Sequence, residues 1–370
     1  MENQQSNLRT NLRILLVIVS TLILIGLVFI YSSSSVFALE KFGLAHFFLK
    51  KQAFHLLIGI VAFFVFAAVP VSFWKRRAPW LFLASLAFSS LTFIPQLSMR
   101  IHGSSRWISL FGFSIQPSEV LKLFIFIYLG FFLEKKYTKI KSFIYGYLPF
   151  LVVLFLSFII LYKQPDFGSI ITIFITSFIV FFIAGFKQSH LFITLLMALP
   201  LAGVAIFFVA YRLQRILIFL NPWADPQGRG YQIIQSLIAI GSGGIWGKGI
   251  SFSKQKFFYL PMLHTDFIFS IIAEEVGFVG CSFIIMLYVL FCYFGLRIAM
   301  QLKSAFASYT TMGFIILISL QAVINLMVVS GLVPTKGLGL PFISYGGSAL
   351  ITKLCMMGLI ANFVREQRKK

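Results

Sequence analysis

The stretch YLPMLHTDFIFSIIAEEVGF, residues 259–278, is strongly apolar and yet contains Asp266, Glu274 and Glu275. The whole chain of 370 residues has only ten acidic side chains, so three of them in or beside one hydrophobic segment need a physical reason. An apolar run of this length is typical of a helix that crosses a bilayer, where charged side chains are costly and usually have a function. The segment therefore predicts a membrane helix whose acidic residues have specific roles.

The composition of the rest of the chain also indicates a membrane protein. Hydrophobic residues make up 59% of the chain and its mean hydropathy is +0.95, both far above the balance of a soluble domain. Apolar runs of about 20 residues recur, and they are continuous rather than alternating, which favours helices over barrel strands. We predict one all-α domain over residues 1–370, a polytopic membrane helix bundle with about ten transmembrane helices.

The apolar runs predict ten spans and one long loop. The spans are 14–33, 52–70, 79–97, 117–134, 143–162, 166–185, 190–211, 266–297, 306–330 and 342–364. Residues 212–265 form a long loop between spans seven and eight, and long ordered loops usually carry function. Within this loop, residues 231–240 have apolar side chains at helical spacing and predict a short amphipathic helix on or in the membrane.

Basic residues are distributed unequally between the two sides of this predicted topology. The short loops and termini on the side of the N-terminus hold sixteen Lys and Arg residues, and the short loops on the other side hold seven. The positive-inside rule therefore predicts that both termini are cytoplasmic and that loop 212–265 lies outside. These flanking residues account for much of the formal net charge of +21, so the charge does not indicate a nucleic-acid partner.

Three acidic residues, Glu119, Asp166 and Asp266, fall in the first turn of a predicted span. Asp166 in KQPDFG and Glu119 in QPSEVLK can each simply stabilise the helix dipole there. Glu119 can also pair with Lys122, three residues later. Lys122 lies one turn into the membrane, however, where a charge is usually functional.

The three acids of the opening stretch are expected to have different roles. Glu274 and Glu275 are about 100° apart around the helix, so they cannot face one partner. We expect structural roles for both, with at least one paired to a basic group such as Lys353 in the last span. Asp266 lies at the end of the long outer loop, just after His264, where a carboxylate suits a general base; the alternative is a helix cap.

Several other kinds of site find no support in the sequence. The Gly-rich stretch GSGGIWGKG, residues 241–249, lacks the spacing and the preceding strand of a phosphate-binding loop. The three cysteines lie in predicted spans and show no disulfide or metal pattern. No metal-ligand cluster is legible, so no cofactor is assigned, and a divalent cation, Mg²⁺ or Mn²⁺, is only a candidate participant.

Five motifs of the chain resemble one protein family. They are QPSEVLKL (116–123), KQPDFGS (163–169), NPWADPQGRGYQIIQSLIAIGSGG (221–244), QKFFYLPMLHTDFIFSIIAEEVGFVG (255–280) and GLVPTKGLGLPFISYGGSALI (331–351). Together they resemble the SEDS family of shape, elongation, division and sporulation proteins over nearly the whole chain. PWADPQG, QKFFYLP and PTKGL are more similar to the division branch and its sporulation relatives than to the elongation branch.

The resemblance implies a peptidoglycan glycosyltransferase of the bacterial inner membrane that polymerises lipid II on the outer face, at the division septum. By motif, Asp266 would be the essential carboxylate and Trp107 an outer-loop tryptophan needed for activity. Glu119 and Lys122 would line the central cavity. The implied partners are lipid II with the nascent glycan, a class B penicillin-binding protein that cross-links the product, other division proteins and membrane lipids.

The implied reaction needs cations near the departing lipid pyrophosphate. The outer basic residues from which they would come are Arg106, Lys122, Arg212, Arg215 and Lys336. His264 is a further candidate residue of the cavity. One position departs from the family pattern: Met262 stands where the family usually has an acid, so no role of that acid carries over to this chain.

Other function classes stay open at this point. A lipid II flippase also needs an outer cavity, buried charges and gated helices, and nothing in the composition excludes it. A scaffold that only recruits the cross-linking enzyme is a third class, and it would tolerate changes at Asp266. Within the family, an elongation-type polymerase is the alternative to a division-type one.

The predicted topology can be tested by thiol labelling. We expect a membrane-impermeant reagent applied from outside to label a cysteine introduced near Asp225 and to leave one near Lys139 unlabelled. The reason is the excess of basic residues in the loops on the side of Lys139. The parent chain, whose three cysteines lie in predicted spans, is the control. Labelling of both positions from the same face would contradict the ten-span topology.

Overall fold

A computed structural model describes residues 2–101, 104–110, 113–207, 210–228, 230–256, 264–335 and 337–367. Most of the described chain is helical. The helices are α1 Glu2–Phe42, α2 Phe47–Ala68, α3 Val71–Ser90, α4 Pro117–Lys136, α5 Leu148–Lys163, α6 Phe167–Ile183, α7 Gln188–Phe207, α8 Ala210–Leu220, α9 Tyr231–Gly243, α10 Ile268–Gln301, α11 Ala305–Val329 and α12 Gly347–Gln367.

Ten of these helices, α1–α7 and α10–α12, occupy the ten predicted spans. Six helical segments among the described residues are long and apolar enough to cross a membrane: Ser6–Phe42, Phe47–Ala68, Phe143–Lys163, Ile268–Gln301, Ala305–Val329 and Gly347–Gln367. Two shorter apolar helical segments are α6, residues 167–183, and the first part of α7, residues 188–197. The architecture is therefore an all-α multi-pass membrane bundle, as predicted.

The bounds of the third span differ from the prediction. The sequence placed it at 79–97, but α3 begins at Val71, directly after Pro70, and ends at Ser90. Proline fixes a helical φ and favours a position at a helix start. The basic residues of the first turns lower the local hydropathy, which explains why an apolar window started too late.

A small antiparallel sheet, which the sequence did not predict, joins α3 to α4. Its strands are β1 Ser98–Ile101, β2 Ser104–Leu110 and β3 Phe113–Ile115, in the order β1-β2-β3. Met99 is paired with Trp107, and Ile108 with Ile115. The end of the bundle that carries this sheet is called the sheet end below, and the opposite end is called the terminal end.

At the terminal end, the last turns of α12 close the connection between α2 and α3. The Asn362 side-chain amide donates to the carbonyls of Phe66, at 2.9 Å, and Val69, at 2.5 Å. Glu366 accepts a hydrogen bond of 3.0 Å from the N–H of Val71. Backbone groups at helix ends, which lack partners inside their own helices, are thereby satisfied.

The long helix α10 is interrupted at Gly277, whose φ of +63° and ψ of −164° are not helical. Segment 244–249, which follows α9, packs against this break. Four backbone hydrogen bonds of 2.9–3.2 Å join it to residues 274–279 of α10. In a bilayer an unpaired peptide group costs several kcal/mol, so an interrupted membrane helix needs such a partner. The part of the loop predicted as an amphipathic helix is thus α9, and it packs against α10.

Gly277 provides a test of this interruption. We expect Gly277→Ala to destabilise the protein by roughly 1–3 kcal/mol, because a side chain is strained in that backbone conformation. In addition, its Cβ would lie 2.3 Å from the nitrogen of Gly247. Gly241→Ala in α9 is the control, since a Cβ there has nothing within 4 Å. Equal thermal melting temperatures of the two purified variants would show that the break is not needed.

Candidate functional site

Asp266 lies at the sheet end, two residues before α10 begins. The N-cap residue of α10 is Phe267, and no side chain caps this helix. Asp266 is partly exposed. Within the described parts of the chain, its carboxylate accepts no hydrogen bond and has no ion-pair partner within 4.0 Å. The helix-cap alternative is therefore not realised, and the carboxylate is available to a substrate.

The surroundings of Asp266 make its carboxyl group a better base than an ordinary aspartate. Partial burial raises the pKa of Asp266 to about 6, although attraction by Arg106 acts in the opposite direction. A Cβ placed on Gly337 would lie 3.6 Å from both Asp266 Oδ2 and Arg106 Nη1. Both charged tips therefore border the same small space above Gly337, where a polar group of a substrate can reach both.

Arg106 is held by the turn between α5 and α6. Its Nε donates to the carbonyl of Gln164 at 3.3 Å, and its Nη2 donates to the carbonyl of Pro165. The Gln164 side chain in turn donates to the carbonyl of Ser89 at 2.7 Å, at the end of α3. Trp107 follows Arg106 in β2 and is partly buried; successive strand residues point to opposite faces of the sheet. Of the two predicted site residues Arg106 and Trp107, it is Arg106 whose side chain the structure places near Asp266.

A second group of charges is buried inside the bundle. Lys122 Nζ lies 2.6 Å from Glu119 Oε1, and Lys353 Nζ lies 3.8 Å from Glu119 Oε2. All three side chains are buried, with 1–6% of each residue exposed. Two ammonium groups and one carboxylate leave this cluster, called the buried charge cluster below, with one excess positive charge when all are ionised. The predicted pair of Glu119 and Lys122 is present.

One of the two glutamates of α10 pairs with a basic group, as predicted, but that group is not Lys353. Lys353, which the sequence offered as an example of such a partner, faces Glu119 on α4. Glu274 instead pairs with Lys248 at 2.7 Å, because the segment after α9 folds back along α10 and brings Lys248 to it. A run of apolar sequence does not show which helices are neighbours, so the partner could not be derived from it.

Glu274 and Glu275 are held by different groups, in agreement with their angular separation. Glu274 also accepts hydrogen bonds from the Ser253 hydroxyl and from the backbone N–H of residues 254 and 255, at 2.5–3.3 Å. Glu275 accepts from the Ser32 hydroxyl of α1 at 2.6 and 2.8 Å. Both side chains join α10 to other segments, which is the arrangement of structural residues.

Asp166 caps a helix, a closer contact with the helix start than the dipole stabilisation that the sequence suggested. It is the N-cap residue of α6, and its carboxylate accepts from the Ser169 N–H at 3.2 Å and hydroxyl at 2.7 Å. It also accepts from the Gln116 amide at 3.4 Å, and the backbone N–H of Gln116 donates to Ser348 at 3.0 Å. These contacts join the first residues of α4, α6 and α12 at the sheet end.

His264 is enclosed by aromatic rings. Its ring centroid lies 4.3 Å from that of Phe48 and 5.6 Å from that of Tyr345. Burial lowers the pKa of His264 to about 4, so its side chain is neutral near pH 7. The imidazole is therefore suited to packing beside the site rather than to binding an anion through a positive charge.

Sequence reasoning missed Asn325, Ser344 and Ser348 at the sheet end. Asn325 donates to the carbonyls of Asp266 and Leu338, and Ser344 donates to that of Thr265. An amide inside the apolar stretch AVINLMVV is a detectable signal, because a polar residue in a membrane span usually has a specific partner.

Some predicted positions fall outside the described part of the molecule. They are Met262 and Lys336, together with the side chains of Arg212 and Arg215. Among the residues that are described, no group of three or more His, Cys, Asp and Glu side chains is placed to hold a metal ion. A divalent cation at this site stays a prediction.

Comparison with known proteins yields consistent similarities over almost the full length. The profile of a family described as "Cell cycle protein", which comprises FtsW, RodA and SpoVE, matches residues 12–369. The "Probable peptidoglycan glycosyltransferase FtsW" of Geobacter sp. (strain M18) is 41% identical over 343 residues, 93% of this chain and 94% of that relative. "Stage V sporulation protein E" of Bacillus subtilis (strain 168) is 40% identical over 361 residues, 97% and 99% of the two chains.

Solved structures share the fold. A chain from a study entitled "Structural coordination of polymerization and crosslinking by a peptidoglycan synthase complex" has a TM-score of 0.79 and 29% identity, covering 96% of this chain and 98% of its own. The rod shape determining protein RodA of Thermus thermophilus has a TM-score of 0.72 and 26% identity, covering 96% and 97%. The chain therefore belongs to the FtsW, RodA and SpoVE family of cell cycle proteins.

Proposed function

We propose that this protein is a peptidoglycan glycosyltransferase that polymerises lipid II during cell division, with Asp266 as the general base. The observation that carries the proposal is a carboxylate without a hydrogen-bond partner in the described structure, placed beside Arg106 at the sheet end and with a raised pKa. The names of the FtsW relatives at about 40% identity support the same reaction and the division role.

The reaction joins two lipid-linked saccharides. The 4-hydroxyl oxygen of an N-acetylglucosamine attacks the anomeric carbon of N-acetylmuramic acid on a second chain, and the configuration at that carbon inverts. The proton of the hydroxyl passes to the Asp266 carboxylate while the bond between the anomeric carbon and the pyrophosphate oxygen breaks. A positioned base of this kind typically contributes about 10²–10⁴-fold to the rate.

The departing lipid pyrophosphate carries at least two negative charges, and positive groups directed at it stabilise the transition state. Arg106 is the candidate nearest to Asp266. The buried charge cluster, with its excess positive charge, is a second source of positive potential. Arg212, Arg215 and Lys336 remain in the proposed set.

The proposal also covers the membrane topology of the protein and its partners. The sheet end faces the outer side of the bacterial inner membrane, both termini are cytoplasmic, and the protein acts at the division septum. A class B penicillin-binding protein cross-links the glycan product, in keeping with the synthase complex whose chain shares this fold. Other division proteins, lipid II and membrane lipids are the further partners, and grooves between the spans hold the polyprenyl tails.

A lipid II flippase is the second candidate, and the buried charge cluster favours it, because intramembrane charges are common in transporters. One experiment separates the two. The purified full-length chain is incubated with lipid II, with and without its penicillin-binding protein, and the products are resolved by size. Glycan polymer supports the polymerase; lipid II that crosses vesicle membranes without forming polymer supports the flippase.

We expect Lys122→Met to lower polymerisation strongly and Lys75→Met to lower it only slightly. Lys122 pairs with Glu119 in the bundle interior, whereas Lys75 pairs with Glu134 at 2.5 Å where both side chains are partly exposed. Loss of one partner of a buried pair typically costs about 3–5 kcal/mol, against about 0–1 kcal/mol for an exposed pair. The measurement is polymerisation rate per folded molecule. Equal, mild effects would make Lys122 an ordinary structural residue.

Asp266→Asn tests the base directly. Asn has nearly the same shape as Asp but cannot accept the proton at neutral pH, so we expect a folded, membrane-inserted protein whose polymerisation rate falls by about 10²-fold or more. Asp266→Glu should also be poor, since displacement of the carboxylate by about 1 Å spoils a positioned attack. The comparison uses matched amounts of purified protein and lipid II. Polymerisation by Asp266→Asn at the parent rate would remove Asp266 from the mechanism.

A further inference from the structure

The three residues that lead to the catalytic position are held through their backbone carbonyls by three different groups. His264 accepts a 2.8 Å hydrogen bond from the N–H of Tyr345. Thr265 accepts a 2.6 Å bond from the hydroxyl of Ser344, and Asp266 accepts a 2.8 Å bond from the side-chain amide of Asn325. The donors come from α11 and from the turn before α12, so Asp266 is held from outside its own helix.

Asn325 is the member of this set with the most specific geometry. Its side chain is fully buried in α11. Its Nδ2 also donates to the carbonyl of Leu338, at 2.6 Å, so both amide hydrogens are used. Because both neighbours are carbonyl oxygens, only one orientation of the amide fits, with the NH₂ group facing them.

The carbonyl oxygen of the Asn325 amide differs from its nitrogen in this respect. Among the described residues, Asn325 Oδ1 is buried without a hydrogen-bond partner. An unsatisfied buried acceptor costs about 1–3 kcal/mol. This cost is retained at a position whose two donated hydrogen bonds join the carbonyl of Asp266 to that of Leu338.

The second bond of Asn325 reaches the segment that faces the Asp266 carboxylate. Leu338 follows Gly337, and Gly337 is the residue whose Cβ position lies 3.6 Å from both the Asp266 carboxylate and the Arg106 guanidinium. One side chain therefore fixes the backbone of Asp266 relative to the backbone beneath the reacting groups. A displacement of about 1 Å at such a point can cost about 10²-fold in rate.

We propose that Asn325 is a positioning residue for this reaction, which sets the distance of the Asp266 carboxylate from Arg106 and from the substrate hydroxyl by joining the Asp266 and Leu338 carbonyls. The inference rests on the proposed function, since it requires Asp266 to act as the base. Asn325 itself touches neither the substrate nor the transferred proton.

The chain contains a matched control for the test. Asn362 in α12 is also buried and also donates both amide hydrogens to two backbone carbonyls, those of Phe66 and Val69, but at the terminal end of the bundle. Asn325→Leu and Asn362→Leu therefore both remove two hydrogen bonds to backbone carbonyls, at opposite ends of the molecule, and Asn362→Leu also removes a 3.5 Å contact from Arg365. Leu is close to Asn in size, which keeps the change in packing small.

The measurement is the polymerisation of lipid II by the full-length protein, per folded molecule, as a function of substrate concentration and pH. For Asn325→Leu we expect kcat to fall by at least about tenfold with little change in KM, because the base is misplaced rather than the substrate lost. We also expect the acidic limb of the rate profile, near pH 6 in the parent, to move to lower pH as Asp266 becomes more hydrated. Asn362→Leu should keep the parent kcat and the parent profile.

Ser344→Ala provides a second, milder variant in case Asn325→Leu does not fold. It removes the bond to the Thr265 carbonyl together with the acceptor of the Leu340 N–H, and we expect it to lower kcat several-fold, with the rate expressed per folded molecule. Equal kcat values for the Asn325 and Asn362 variants, or parent kcat and profile in Asn325→Leu, would overturn the proposal. If the Asn325 variant behaves like the parent while Asp266→Asn is inactive in the same assay, only the role of Asn325 is overturned. If Asp266→Asn is active, the proposed role of Asp266 as the base is overturned as well.

Discussion

The position of Asp266 depends on backbone hydrogen bonds made by peptide groups that no regular helix can satisfy. The first part of α10, residues 268–276, is short, because Gly277 interrupts the helix. At its far end the four bonds to segment 244–249 satisfy the break, and at its near end Asn325 and Ser344 hold the residues that precede it. In a bilayer, peptide groups without partners are too costly to persist, so both ends of this segment are fixed. Asp266 is placed by these two anchors.

The acids of the opening stretch show how similar side chains acquire different roles from their surroundings. Glu274 accepts four hydrogen bonds, one of them from the ammonium group of Lys248, and Glu275 accepts from Ser32. Asp266 has none of these contacts and a raised pKa. A carboxylate that is fully hydrogen-bonded in its ionised form is a weak base, while one that is desolvated and unpaired is a stronger one. Whether an acidic residue here suits a structural or a chemical role depends on the hydrogen-bond donors around it and not on its residue type.

Much of the fold and the centre of the site could be predicted, because bilayer thickness and peptide hydrogen bonding restrict what an apolar run can form. The ten helices, the position of Asp266 and the pair of Glu119 and Lys122 follow from local sequence. The sheet over 98–115 could not be predicted, because the bilayer does not restrict the structure of a short polar connection. The partners of Lys353 and Glu274 did not follow either, because they depend on which helices are neighbours in three dimensions.

Arg106 illustrates how a cation can lie near a carboxylate without pairing with it. A guanidinium paired directly with the carboxylate would lower its pKa and occupy a lone pair that the proposed reaction needs for a proton. Here Arg106 uses its Nε and Nη2 on the carbonyls of Gln164 and Pro165, so its charge is near Asp266 while these donors are committed elsewhere. Its attraction offsets only part of the effect of burial, and the pKa of Asp266 stays raised. Within the described structure Asp266 lacks the donors that Glu274 has, and an acid without donors is costly in a membrane protein, so the proposed role as a base is a physical reason to retain it.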